Sequence, residues 1–102
     1  MNVLLSSVSR KVSLARTWRK ACTDRGGRLI VADMQGSCAG MYEGDHAVRL
    51  PALDSEAFKG ALRGACRQFD VRLVVPTRDE ELLAFAEWKG EFAKLGVRLL
   101  VP

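Results

Sequence analysis

Apolar residues in this chain follow two alternating rhythms, short continuous runs and longer stretches that repeat every three or four positions. Val3-Leu4-Leu5, Arg28 to Asp33, Ala47-Val48-Arg49-Leu50, Val71 to Val75 and Val97 to Val101 are too short for stable helices and rich in branched aliphatics, which predicts strands. Most lack polar alternation, as expected of strands covered on both faces in a parallel sheet. Between them, Val12, Leu14, Ala15, Trp18, Ala21 and Cys22 predict a helix from about Ser9, stopped by Gly26-Gly27. Ala57, Phe58, Ala61, Leu62, Ala65, Cys66 and Phe69 predict a second, from Asp54 or Ser55. Its glycines, Gly60 and Gly64, each cost about 1 kcal/mol against alanine, implying either a closely packed neighbour or tolerance. A third helix follows Pro76, with Leu82, Leu83, Phe85, Ala86, Phe92 and Ala93 inward and Gly96 as its stop. Met34 to Asp45 is polar and predicts a loop, with a short helical turn within Ser37 to Glu43.

Strand and helix alternation with right-handed crossovers gives a Rossmann-like, three-layer α/β/α fold. Its five-stranded, mainly parallel sheet should run in the order 3-2-1-4-5. The winding direction changes between the first and fourth strands, so a crevice is expected at their carboxyl ends. Two polar turns would meet there, Ser6-Ser7-Val8-Ser9-Arg10-Lys11 and Pro76-Thr77-Arg78-Asp79-Glu80-Glu81. Thr77 and Glu80 match the capping-box spacing, which leaves Asp79 and Glu81 without a local explanation. Arg10 and Lys11 fall in the first turn of the predicted helix, where a cation is unfavourable unless an anion sits beside it. The alternative is that they pair with Asp79 or Glu81 across the crevice. Asp33 closes the second strand at the same sheet edge.

The chain has 102 residues, 48% apolar and 27% charged, which is ordinary for one soluble domain spanning residues 1–102. No apolar stretch approaches the roughly 20 residues needed to span a bilayer, and Met1 to Ser7 lacks the features of a signal peptide. A cytoplasmic location is expected, with no membrane partner. Cys22, Cys38 and Cys66 have no paired spacing and read as free thiols. His46 beside Asp45 could serve as a base but reads first as a locally bonded loop residue. A net charge of +4 raises nucleic acid as a partner. The spread of the cations and the lack of interleaved aromatics argue against it, although Arg10, Lys11, Arg16, Arg19 and Lys20 could form an anion-attracting face. There is no G-x-G-x-x-G, P-loop, nucleophile elbow or metal-ligand cluster, and hence no complete catalytic set.

The opening Asn2-Val3-Leu4-Leu5-Ser6-Ser7-Val8-Ser9-Arg10-Lys11-Val12, the strand ending in Asp33, the Ala39-Gly40-Met41-Tyr42 turn leading to Asp45, and Pro76-Thr77-Arg78-Asp79-Glu80-Glu81-Leu82 occur in an order with a family likeness. Along essentially its whole length the chain resembles the N-terminal, pre-ATP-grasp domain of ATP-grasp ligases, in the carbamoyl-phosphate-synthase-like, carboxylate–amine ligase branch. It departs from that pattern at Ser9, where relatives commonly carry glycine before two basic residues.

The resemblance implies a domain that is not catalytic alone. It would bind no cofactor itself, since ATP and magnesium belong to later ATP-grasp lobes, absent from this chain and supplied by the same or a partner chain. It also implies a part in the acceptor-substrate cleft for a small carboxylate or amine. Arg10, with Ser7 and Lys11, would steer a carboxylate or phosphate. Asp79 and Glu81 would orient an amine or hold Arg10, with Thr77 and Asp33 as further cleft candidates. A homodimer is possible through an exposed docking face. The alternative is a free-standing α/β module that binds a small anion or a protein partner.

Overall fold

The computed structural model describes residues 1–102. Along the chain run β1 (Asn2–Leu5), α1 (Val12–Asp24), β2 (Leu29–Asp33), a 3-10 turn (Ala39–Tyr42), β3 (His46–Arg49), α2 (Phe58–Gln68), β4 (Val71–Val75), α3 (Asp79–Ala93) and β5 (Arg98–Leu99). The sheet order is β3-β2-β1-β4-β5 and every neighbouring pair is parallel, as expected. Leu5 lies level with Val31 on one side and Val75 on the other. The carboxyl ends of the three central strands therefore meet at one edge. No helix is long and apolar enough to cross a membrane.

Side chains alternate across a strand, so the sheet supplies two cores. Leu4, Ile30, Ala32 and Val74 face α2 and α3 and pack with Phe58, Leu62, Phe85 and Phe92. Val3, Leu5, Val31 and Val75 face the other way and pack with Ala15 and Cys22 of α1, together with Val8 and Met41. The sheet is thus covered on both faces, which explains its unbroken apolar runs.

Several boundaries and faces differ from the sequence expectation. Helix α1 begins at Val12, because Val8 is first turned into the core and the chain needs Ser9 and Arg10 to climb out again. Ala15 and Cys22 are buried, while Leu14 and Ala21 stay exposed. Helix α2 begins at Phe58; the Ser55 hydroxyl accepts the Ala57 N–H at 3.1 Å and closes a turn ahead of it. Helix α3 is rotated from the expected phase. Its inward residues are Glu81, Phe85 and Phe92, with Ala84 and Trp88 partly covered, whereas Leu83 is 79% exposed. Leu82 also remains partly open. An open space surrounds the position of a Cβ at Gly60 and at Gly64, so tolerance, not close packing, accounts for both glycines.

All three cysteines are free thiols, with Cys22 and Cys66 buried. Burial pushes the Cys66 thiol from its ordinary 9.0 up to about 12. Between those values the unfolded chain releases a proton that the folded chain keeps, so stability is fully present below pH 9 and falls as pH rises. Cys66→Ala should flatten this alkaline decline by up to about 1.4 kcal/mol per pH unit. Urea midpoints of both proteins between pH 8 and 10.5 check it, and parallel curves would show that the thiol titrates alike folded and unfolded.

Candidate functional site

The turn after β1 is set by its need to bury one side chain. Val8 is fully buried and its N–H donates to the Ala32 carbonyl at 3.0 Å. Its neighbours adopt left-handed backbone, φ 52° at Ser7 and φ 46° at Ser9. Each such non-glycine residue costs about 1 to 2 kcal/mol, so other contacts must hold the turn. Asp33 supplies one, with one carboxylate oxygen accepting the Ser9 N–H at 2.8 Å and the other the Gln35 N–H at 2.9 Å. The 3-10 turn supplies another, where the Gly40 N–H donates to the Ser9 carbonyl at 2.7 Å.

The remaining contacts come from the turn between β4 and α3. Glu81 is only 1% exposed. Its Oε1 accepts the N–H groups of Thr77 at 3.1 Å and Arg78 at 3.3 Å, and its Oε2 accepts the Ser7 hydroxyl at 2.9 Å. The Thr77 hydroxyl lies 2.8 Å from the carbonyls of both Ser6 and Ser7. It accepts Lys11 Nζ at 2.9 Å, and Lys11 also donates to the Thr77 carbonyl at 3.0 Å. Helix α3 is therefore capped by Glu81 and not Glu80, because the chain turns at Arg78 and places Glu81 in the N3 position. Arg78 has only donors, so the reciprocal half of a capping box is absent. Thr77, expected to cap, instead ties the two turns together.

These turns floor and wall a cleft of about 830 Å³ at the carboxyl edge of the sheet. Of the residues expected there, Ser7, Arg10, Lys11, Asp33 and Glu81 line it, while Thr77 and Asp79 do not. Arg10 and Lys11 were expected in a helical first turn, but both precede Val12, because the buried Val8 delays the helix. Lys11 pairs with no carboxylate and is held by Thr77. Ser7, Lys11 and Glu81 are engaged with protein partners. Arg10 alone among these candidate cations has a side chain with no hydrogen bond or ion pair, and it is exposed in the cleft.

The opposite wall was missed by the sequence reading. Leu50 to Asp54 and Phe58 form it, with Met34, Gln35, Arg78 and Glu80 completing the rim. Pro51 carried the signal, since it ends β3 at the same carboxyl edge as the turns after β1 and β4. His46 is the first residue of β3 and so lies at the other end of the sheet, where it stacks on Phe69 with ring centroids 4.9 Å apart.

Ion pairs made by the cations of α1 narrow the candidates further. Arg16 pairs with Glu43 at 3.0 Å, Arg19 with Asp45 at 3.1 Å and Lys20 with Asp24 at 3.0 Å. The hydrogen bond from Arg16 holds the Glu43 carboxyl below its ordinary range. The anion-attracting face considered from sequence is thus largely neutralised. Within the turn itself, the amides of Ser6, Val8, Ser9 and Lys11 donate to Val75, Ala32, Asp33 and Val8.

The family model described as PylC-like, N-terminal domain, matches residues 3–100 of the chain. Among solved structures, the chain is similar to one described as a single-chain, multi-domain long-chain acyl-CoA carboxylase. The TM-score is 0.66 and the identity 21%, over 97% of this chain and 10% of that one. The likeness is one of fold, and the chain spans about a tenth of that protein's length. No curated protein matches the chain.

Proposed function

Because the chain belongs to the PylC-like N-terminal domain family, we propose that it is the domain preceding the ATP-grasp lobes of a carboxylate–amine ligase of the carbamoyl-phosphate-synthase-like branch. In this reading it forms one wall of the acceptor-substrate cleft. The observation that carries it is Arg10, an unpartnered guanidinium opening into an 830 Å³ cleft at the sheet's ligand edge. A guanidinium in that setting can grip a carboxylate through two parallel N–H donors. The apolar wall opposite, from Leu50 to Leu53, supports the body of the same molecule. ATP and magnesium supply the activation of the carboxylate, and the later lobes hold them. The exposed Leu83 and the partly exposed Leu82, which directly follow the cleft-lining Glu81, support docking of those lobes against the start of α3.

The test uses the full ligase with ATP and magnesium, offering the common amino acids pairwise as carboxylate and amine and following ADP release. Arg10→Ala should raise the KM of the carboxylate by about tenfold with little change in kcat, the signature of lost binding that is equal in the ground and transition states. An unchanged KM and kcat would remove Arg10 from the cleft's chemistry and the cleft reading with it.

A further inference from the structure

Arg10 has no side-chain partner of its own, so the position of its guanidinium depends wholly on the backbone that carries it. That backbone contains two non-glycine residues in the left-handed region, Ser7 and Ser9, and would relax without external bonds. One side chain reaches both sides of the crevice. Glu81 holds Ser7 with one carboxylate oxygen, and with the other it holds the amides of Thr77 and Arg78. Thr77, so fixed, receives Lys11 and approaches the carbonyls of Ser6 and Ser7. A carboxylate this deeply buried is costly unless its acceptor sites are filled, and three donors from two turns fill them.

We propose that Glu81 is a positioning residue: it holds the turn from Ser6 to Lys11 in the shape that sets Arg10 in the cleft. A capping role alone would need only the amides at the start of α3; the bond to Ser7 adds nothing to the helix and acts only on the Arg10 turn. The inference rests on the cleft reading above, since it gives Arg10 a ligand to be positioned for.

The test is nuclear magnetic resonance on the isotopically labelled 102-residue chain, with benzoate as a probe that pairs a carboxylate with an apolar body. In the unaltered chain the amides of Val8 to Lys11 should be rigid, with order parameters of about 0.85. In Glu81→Ala they should fall below about 0.6, while the strand amides keep their values. Benzoate should bind about tenfold more weakly to Arg10→Ala and to Glu81→Ala, and the double variant should be no weaker than Arg10→Ala alone. Glu81→Gln can still accept the amides and donate to Ser7, so it should restore both readouts. If Glu81→Ala does not fold, Ser7→Ala decides, because it removes only the Ser7 hydroxyl's bond to Glu81 and leaves the amide bonds that cap α3 in place. Rigid turn amides in these variants, or additive losses in the double variant, would overturn the positioning role. Absence of benzoate binding in the unaltered chain, or binding unaffected by Arg10→Ala, would instead sink the cleft reading.

Discussion

Phe85→Ala is expected to remove about 3 to 5 kcal/mol of unfolding free energy, the largest effect foreseen for a single substitution in this chain. Phe85 is fully buried, with its ring centroid 6.4 Å from that of Phe58 and 5.9 Å from that of Trp88. Trp88 continues the cluster to Phe92, at 6.5 Å. These rings join α2 and α3 over the sheet face formed by Leu4, Ile30 and Val74. A domain of this size has about 5 to 15 kcal/mol in total, so the variant should unfold at a much lower urea concentration with a similar m-value. Leu83→Ala serves as the paired measurement. The apolar pattern places Leu83 inward, yet it is 79% exposed, and its truncation should change stability by no more than about 0.5 kcal/mol in either direction. Comparable losses in the two variants would mean that α3 is rotated from the phase described.

Gly40→Ala should cost about 2 to 3 kcal/mol and disturb the cleft at the same time. A Cβ at Gly40 would stand 2.6 Å from the Ser9 carbonyl oxygen and 2.8 Å from Val8 Cγ2. Neither neighbour can yield easily. Ser9 is backbone in a turn already held by Asp33, and Val8 is fully buried. The added methyl must therefore push the 3-10 turn and the Arg10 turn apart. Urea unfolding measures the stability loss, and shifted amide resonances at Val8 to Lys11 report the displacement. Gly64→Ala is the contrast, since nothing lies within 4 Å of its Cβ position. It should be neutral or stabilising by up to about 1 kcal/mol, and an equal loss at both glycines would show that the close approach at Gly40 is not the cause.

The site was partly legible before the structure. The rule that ligands gather at the carboxyl ends of parallel strands located the turns after β1 and β4, and both line the cleft. The same rule applied to β3 would have added Leu50 to Asp54, but that strand reads weakly because it is a mostly exposed edge with Arg49 breaking its apolar run. Asp79 and Glu81 were indistinguishable by residue type and position. The structure separates them, leaving Asp79 off the cleft wall and burying Glu81 between two turns. The likeness to N-terminal domains of ATP-grasp ligases, read from the order of short motifs, agrees with the family match over residues 3–100.

By itself the sequence determined the order and type of the elements, the parallel sheet with its 3-2-1-4-5 arrangement, and the meeting of two particular turns. Those properties follow from apolar periodicity and from the handedness of crossovers, which act along the chain and need no knowledge of exact packing. Only the tertiary structure decided which polar groups hold one another and which side chain is left without a protein partner. A hydrogen bond forms near 3 Å or not at all, and such distances depend on strand register, on the burial of Val8 that delays α1, and on the rotation of α3. Each of these is settled by how side chains fill the two cores, so the freedom of Arg10 and the engagement of Lys11, Asp33 and Glu81 emerge only once those cores are packed.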